Sequence, residues 1–257
     1  MKHILNYCTS EDVPYLVVKE GNEIFSFPLM GKLVLNFSPE VLCTGYKDDK
    51  EIFRPCPLGQ LHVSKCPTCK RLDIANVYTI GDFTYYPHLK ETLSKEKYVL
   101  YLAQFGEDIT KVGLSRRSRY LKRWREQGAD FATIIAEFEG PDMVYEFESY
   151  LQQRYNFSNS VRSSQKLTRL NFDKEKAYEK IKKSKELLFN DFSIKNFLVD
   201  EEIYDLTFSY PKVFNPKISN SIEGEALGSK GQWFFFKDRE NFYALNLSKV
   251  LGHFLLD

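Results

Sequence analysis

The fold is decided by residues 98–156, which read YVLYLAQFGEDITKVGLSRRSRYLKRWREQGADFATIIAEFEGPDMVYEFESYLQQRYN. The runs YVLYLAQF, ITKVGLS and FATIIAEF are rich in β-branched and aromatic residues, which predicts three strands. Residues 117–127 have a helical composition and are followed by Gly128, a natural helix stop. Gly140-Pro141-Asp142 then opens a second helix with apolar residues at helical spacing. The predicted order of elements is β-β-α-β-α.

Both flanks of this segment are rich in strand-forming residues. Residues 1–42 contain β-branched and aromatic runs separated by glycine turns, and residues 173–257 combine a lysine-rich amphipathic helix with further strand-like runs. We therefore expect strands from both ends to share one β-sheet. The predicted fold class is α+β, with a central β-β-α-β-α module over residues 96–172. A mostly β subdomain built from both termini and a loop-rich, metal-stapled insert at residues 43–75 flank it.

Composition sets limits on the class of protein. A content of 43% hydrophobic and 15% aromatic residues can form a substantial core, which excludes overall disorder. The net charge is only +1, so any nucleic-acid contact must come from local charge segregation. The N-terminus lacks the apolar core of a signal peptide, and no apolar run approaches the roughly 20 residues that span a bilayer. We expect a cytoplasmic protein with no membrane partner and no small-molecule cofactor.

Four of the five cysteines lie between positions 43 and 69. Cys66-Pro67-Thr68-Cys69 is a CxxC knuckle, whose two thiolates can bind one ion at about 2.3 Å each. Cys43 and Cys56 are the expected completing pair, with His62 as the substitute for either. A four-thiolate zinc site is coordinatively closed, which predicts a structural zinc ion. The alternatives are a redox CxxC pair and four unconnected buried thiols.

Residues 111–125 form a local basic patch that the net charge hides. They hold seven cationic side chains and no acidic residue, interleaved with Tyr120 and Trp124. This composition suits phosphate contacts, with aromatic side chains available for base stacking. A solvated helix face with an aromatic anchor is the alternative. The expected nucleic-acid-binding residues are Arg116, Arg117, Arg119, Lys122, Trp124 and Arg125.

An ordered set of motifs in the module resembles the signature of the GIY-YIG endonuclease superfamily. The motifs are Val99-Leu100-Tyr101, Lys111-Val112-Gly113, Arg123-Trp124 and Glu148. The resemblance implies that Tyr101 is the GIY tyrosine, Arg123 the helix arginine and Glu148 the metal-binding glutamate. It also implies that Gly113 is the last glycine of YIG, whereas Lys111 stands in place of the YIG tyrosine.

The resemblance implies a chemistry for these residues. Glu148 would hold one divalent ion, magnesium or manganese, and Tyr101 would orient or deprotonate the attacking water. Arg123 would contact the phosphate in the transition state. Glu146 competes with Glu148 for the metal, and Tyr98 competes less seriously with Tyr101.

A closer match extends over almost the whole chain. The segments YLAQFG, KVGLS, RWREQGAD and LGSKGQW together resemble an uncharacterised prokaryotic family, a domain of unknown function with a GIY-YIG-like centre. KVG in place of YIG is usual in that family, so Lys111 joins the predicted catalytic set. As a lysine it can bind phosphate as a point charge, but it cannot act as a phenol. Lys230, Gln232, Trp233 and Lys237 could add a phosphate and stacking surface, or form an ordinary core strand after a glycine turn.

Three functions follow from these observations. The first is a divalent-metal-dependent endonuclease that hydrolyses phosphodiester bonds in DNA or RNA. The second is a catalytically inactive nucleic-acid-binding protein, RNA- or ribosome-associated, that uses the same basic cleft. The third is a protein-interaction module whose basic patch meets an acidic partner.

Overall fold

The computed structural model describes residues 1–191 and 195–256. Its strands are β1 Lys2–Cys8, β2 Tyr15–Glu20, β3 Glu23–Pro28, β4 Lys32–Phe37, β5 Tyr46–Lys47, β6 Phe53–Arg54, β7 Lys97–Phe105, β8 Ile109–Arg116, β9 Phe131–Glu139, β10 Tyr204–Asp205, β11 Lys217–Ile218, β12 Ile222–Lys230, β13 Trp233–Asp238, β14 Asn241–Asn246 and β15 Phe254–Leu256. Its α-helices are α1 Pro67–Leu72, α2 Ala75–Ile80, α3 Leu89–Ser94, α4 Tyr120–Gln127, α5 Asp142–Tyr155, α6 Ser163–Leu167 and α7 Lys174–Phe189. Throughout these ranges, no helix combines the length and the apolar character needed to cross a membrane.

The chain divides into two compact units. Unit 1 comprises Met1–Glu91, Asn215–Ser229 and Trp233–Asp257, and unit 2 comprises Thr92–Phe214 and Lys230–Gln232. This division differs from the predicted segments at residues 173–214. The prediction joined them to the C-terminal strands, whereas unit 2 contains them because α7 packs on β7 and β9.

Unit 1 is built on a sheet that takes strands from both ends of the chain. Among the described residues it has nine strands, in the order β11-β14-β13-β12-β4-β15-β1-β2-β3. Strand β15 pairs antiparallel with both β1 and β4, and this pairing joins the C-terminus to the N-terminal strands. Ile4, Leu16, Phe234 and Phe236 are buried together in its core. The prediction of one sheet shared by both termini is confirmed.

Unit 2 contains the β-β-α-β-α order predicted for the central segment, formed by β7, β8, α4, β9 and α5. Within the described ranges, its sheet has four strands in the order β10-β9-β7-β8. Alternate residues of β7 face opposite sides: Leu100 and Leu102 pack in one core with α5 and α7, and Tyr101 packs in the other with Trp124 of α4. Both faces of this sheet are therefore covered. The two units together confirm the α+β class.

Candidate metal centre and candidate catalytic face

Four cysteines of unit 1 converge on one point. The Sγ atoms of Cys43, Cys56, Cys66 and Cys69 all lie within 4.8 Å of one another. All four are free thiols, and the Sγ atoms of Cys56 and Cys66 are 3.7 Å apart. Bonds of about 2.3 Å from a central zinc would separate the sulfurs of a regular tetrahedron by about 3.8 Å. The predicted set of four cysteines can thus hold one metal ion, and the alternative of unconnected thiols is wrong.

Backbone hydrogen bonds orient these thiols. Helix α1 begins after Cys66, whose Sγ accepts a hydrogen bond from the backbone N–H of Cys69 at 3.4 Å. The N–H of Cys66 donates to the Sγ of Cys43 at 3.2 Å. A Cβ at Gly45 would lie 2.0 Å from the carbonyl oxygen of Arg54, so only glycine permits this approach of the two loop segments. N–H donors directed at sulfur favour the thiolate, which is the metal-binding form.

The structure bears on two alternatives that the sequence left open: His62 as a substitute ligand and the CxxC motif as a redox pair. His62, the substitute ligand, is exposed and lies outside the cysteine cluster. The CxxC pair does begin a helix, as a redox pair would, but Cys43 and Cys56 bring two further sulfurs to the same point. A redox pair needs no such additional thiols. The four-sulfur arrangement therefore favours a metal site.

Tyr101 and Gly113 stand opposite each other at the centre of the β7/β8 hairpin. Tyr101 is fully buried, and its hydroxyl donates to Oε1 of Gln127 at 3.1 Å. A Cβ at position 113 would lie 2.6 Å from the Tyr101 hydroxyl oxygen and 2.7 Å from Cζ of the ring. Glycine at this position is therefore required because the phenol ring lies directly over it.

We predict that Gly113→Ala destabilises the protein by about 1–3 kcal/mol, since the added methyl group overpacks against the Tyr101 ring. The measurement is the free energy of unfolding by urea. Tyr101→Leu provides the control, because Gly113→Ala should cost less in that background. Equal costs in both backgrounds would contradict the assigned contact.

Of the four predicted catalytic side chains, Arg123 and Glu148 lie within electrostatic range of both Tyr101 and Lys111. Burial raises the pKa of Tyr101 to about 12, and Arg123 and Gln127 oppose that shift while Glu148 adds to it. Burial lowers the pKa of Lys111, an effect that Glu148 opposes and Arg123 reinforces. Burial raises the pKa of Glu148, and the charges of Lys111 and Arg123 oppose this shift. The charges of Arg123 and Glu148 thus act on the ionisation of both Tyr101 and Lys111.

The competing residues are placed less favourably. Glu146 is exposed on α5, whereas Glu148 is half-buried. Tyr98 is buried in the core on the other face of the β7 strand, away from Tyr101. Position in the sheet and in α5 thus favours Tyr101 and Glu148 over their alternatives.

Trp124 requires a correction. Its side chain is 0% exposed and makes ring contacts with Tyr101, Tyr120 and Tyr204. A fully buried indole cannot stack on a nucleic-acid base. Trp124 is therefore a core residue of unit 2 and not part of a binding surface, so the aromatic anchor is the correct interpretation.

The net positive charge of the basic patch is smaller in the structure than residues 111–125 alone predict. The stretch has no acidic residue of its own, but glutamates from α4 and from distant segments pair with several of its arginines. The pairs are Arg116–Glu96 at 3.5 Å, Arg117–Glu137 at 3.1 Å, Arg117–Glu201 at 2.6 Å, Arg119–Glu126 at 2.8 Å and Arg123–Glu126 at 3.9 Å. Lys122 is exposed and Arg125 is partly buried on α4. Much of the expected positive charge is thus compensated within unit 2.

The residues of the KGQW segment lie in different environments. Trp233 is a buried residue of β13 in unit 1, which confirms the core-strand alternative for this residue. In unit 2, Lys230 forms a buried ion pair with Asp130, with Nζ and Oδ1 2.5 Å apart. Gln232 accepts a hydrogen bond from Nζ of Lys166 at 3.1 Å. Lys166 is a residue that sequence reasoning missed, because no local motif marks it.

The molecule is thus an α+β protein with a four-cysteine candidate metal centre and a β-β-α-β-α unit. The chain belongs to the family described as Protein of unknown function (DUF2797), whose family model matches residues 32–255. That range includes the cysteine cluster and all four predicted catalytic residues. No curated protein and no solved structure matches the chain significantly.

Proposed function

We propose that residues 98–156 form a GIY-YIG-like endonuclease that hydrolyses phosphodiester bonds with a divalent ion at Glu148. The observation that carries this proposal is that Arg123 and Glu148 act electrostatically on both Tyr101 and Lys111 within one β-β-α-β-α unit. The element order and the positions of these residues both match the GIY-YIG signature that the sequence resembles.

Glu148 suits a single magnesium or manganese ion. Magnesium is commonly held by one or two carboxylates, with water and substrate phosphate oxygens completing the coordination. Among the described residues, Glu148 belongs to no cluster of three or more acidic, cysteine or histidine ligands, so it would serve as a lone carboxylate. The ion would supply Lewis-acid activation of the scissile phosphate.

The remaining side chains have separate roles in this proposal. Lys111 and Arg123 neutralise the charge that develops on the phosphoryl oxygens as water attacks the phosphorus. Tyr101 is fully buried with a pKa of about 12, so its phenol stays protonated at neutral pH. It is therefore a positioning residue, which holds Gln127 and Arg123 in place, and it does not deprotonate the water.

The ion of the cysteine cluster is zinc in this proposal, and its role is structural. Four thiolates saturate a tetrahedral ion and leave no position for water or substrate. Cys43, Cys66 and Cys69 are at most 3% exposed, which further separates the ion from solvent. Neither feature suits a catalytic metal.

A nucleic-acid-binding protein that does not cut is the second candidate. The burial of Tyr101 favours it, because the phenol is not accessible to a bound water, and Lys111 supplies no second phenol. RNA- or ribosome-associated binding would then use Lys111 and Arg123 for phosphate contacts alone. Both candidates share one ligand, so cleavage distinguishes them.

We predict that the wild-type protein cleaves at least one of four labelled substrates: duplex DNA, branched DNA, single-stranded DNA or structured RNA. Cleavage should require magnesium or manganese and should stop when EDTA removes the ion. Gel electrophoresis of the products is the measurement. An uncut panel that still shows salt-dependent binding would select the second candidate, and a panel neither cut nor bound would refute both.

A further inference from the structure

Lys166 is a buried cation with no counter-ion among the described residues. It lies on α6 in unit 2 and is 8% exposed. Its Nζ donates to Oε1 of Gln232 at 3.1 Å and lies 5.7 Å from the centre of the Phe105 ring. Within residues 1–191 and 195–256, no carboxylate pairs with it. An ammonium group buried without an opposite charge is costly unless an anion joins it.

The sheet places Lys166 beside two residues of the predicted catalytic set, Lys111 and Tyr101. On β7 and β8, directly opposed residues share a face, and Ala103 is opposite Lys111. Phe105, beneath Lys166, is two residues along β7 from Ala103, a distance of about 7 Å. Tyr101 is two residues from Ala103 in the other direction. Lys166, Lys111 and Tyr101 therefore follow one another along one side of the hairpin.

Gln232 is held beside the same site. Its neighbour Gly231 lies against the end of α4, where a Cβ would be 3.0 Å from the carbonyl oxygen of Gln127. Gln127 in turn accepts the hydrogen bond of the Tyr101 hydroxyl. Because Lys166 occupies Oε1 of Gln232, the amide Nε2 of that side chain keeps two donors for a ligand.

The surrounding charges are also those of an anion site. Lys230 is matched by Asp130, and the charge of Glu148 acts on Lys111. In the part of the chain that the structure describes, no carboxylate pairs with Lys166 or opposes its charge. Burial, followed by the charges of Arg123, Lys111 and Lys230, lowers the pKa of Lys166 to about 8. The side chain therefore remains mostly protonated at neutral pH, and the local potential is positive.

We propose that Lys166, Gln232 and Lys111 bind a phosphate group of the nucleic-acid backbone next to the scissile phosphate. The nature of the ligand rests on the proposed function, whereas the anion chemistry would be shared by free inorganic phosphate. The Lys166 ammonium and the Gln232 amide donate to the phosphate oxygens. In the endonuclease this contact fixes the register of the strand; in a protein that only binds, it adds affinity.

We predict that Lys166→Met weakens binding of short single-stranded DNA by about tenfold and reduces the magnitude of the salt slope by about one. Fluorescence anisotropy across a series of salt concentrations measures both. Lys182→Met, on an exposed face of α7, is the matched control and should leave both unchanged. The melting temperature of Lys166→Met should be equal to or above that of the wild type, because a buried unpaired charge is removed. Gln232→Ala should weaken binding in the same direction.

Inorganic phosphate separates this inference from the proposed function. In NMR spectra of protein with ¹³C-labelled lysine, phosphate should shift the ε-carbon signal that is missing from Lys166→Met. If phosphate shifts that signal but no nucleic acid binds, the anion site stands and the proposed function fails. If DNA binds the wild type and Lys166→Met with equal affinity and salt slope, the inference is overturned. A signal that phosphate does not move, together with unchanged DNA binding, has the same consequence.

Discussion

Glu148→Gln should lower divalent-dependent cleavage by at least about 100-fold, because the substitution removes the only charged ligand proposed for the ion. The amide retains the shape of the carboxylate, so packing on α5 should be preserved. Binding of uncut nucleic acid should hold or strengthen, since the charges of Lys111 and Arg123 then lose the opposing carboxylate. Single-turnover cleavage rates and dissociation constants, measured on the same substrate, test the two effects separately.

Glu146→Gln is the matched control for that experiment. It changes the same residue type on the same helix, but Glu146 is exposed whereas Glu148 is half-buried. Cleavage by Glu146→Gln should therefore equal that of the wild type. The reverse pattern, with Glu146→Gln inactive and Glu148→Gln active, would transfer the metal to the exposed carboxylate. Full activity in both variants would refute the proposal that a glutamate of α5 binds the divalent ion.

The parts of the molecule that sequence predicts well depend on local patterns. Strand-forming runs and glycine stops lie within a few residues of the elements they define, which explains why β-β-α-β-α is confirmed over residues 98–156. The cysteine cluster is similar, since Cys66 and Cys69 occupy a knuckle whose spacing restricts where their sulfurs can lie. Cys43 and Cys56 could be predicted as the other two ligands because the chain has only one further cysteine, Cys8.

Contacts between distant residues explain what the sequence could not predict. Arg117 pairs with Glu137 and Glu201, which are far from it along the chain, so counting charges in residues 111–125 overstates the patch. Trp124 carried a local signal of burial, because Tyr120 lies four residues before it on the same side of α4. The basic neighbours of the tryptophan obscured that signal.

Lys166 is the clearest example of a residue whose position could not be predicted from the sequence. Lys166 and Gln232 are 66 positions apart and meet only through the packing of unit 2. Gln232 lies in the KGQW segment, but Lys166 belongs to no recognisable motif, and a lysine in a short helix is normally solvated. Its burial without a carboxylate is a three-dimensional fact that no pattern of spacing predicts.

Cys66→Ser should cause the largest loss of stability, because the region that holds the cysteines has little structure of its own. Strands β5 and β6 have two residues each, and α1 has six, which is too short to be stable alone. The wild-type protein should contain about one zinc ion per chain, and zinc binding in small sites contributes on the order of 10 kcal/mol to folding. The serine hydroxyl can still accept the N–H of Cys69 at the start of α1, so the expected loss comes from the metal and not from the helix cap.

Elemental analysis and thermal unfolding test this prediction. Cys66→Ser should lose most of its zinc and melt at a lower temperature, and a strong chelator should lower the melting temperature of the wild type. Cys8→Ser is the control, because Cys8 lies outside the cluster and contacts Ser10. A wild-type protein with less than about half an equivalent of zinc would refute the zinc assignment. If the protein binds zinc but chelation leaves its melting temperature unchanged, the metal assignment stands and the structural role is wrong.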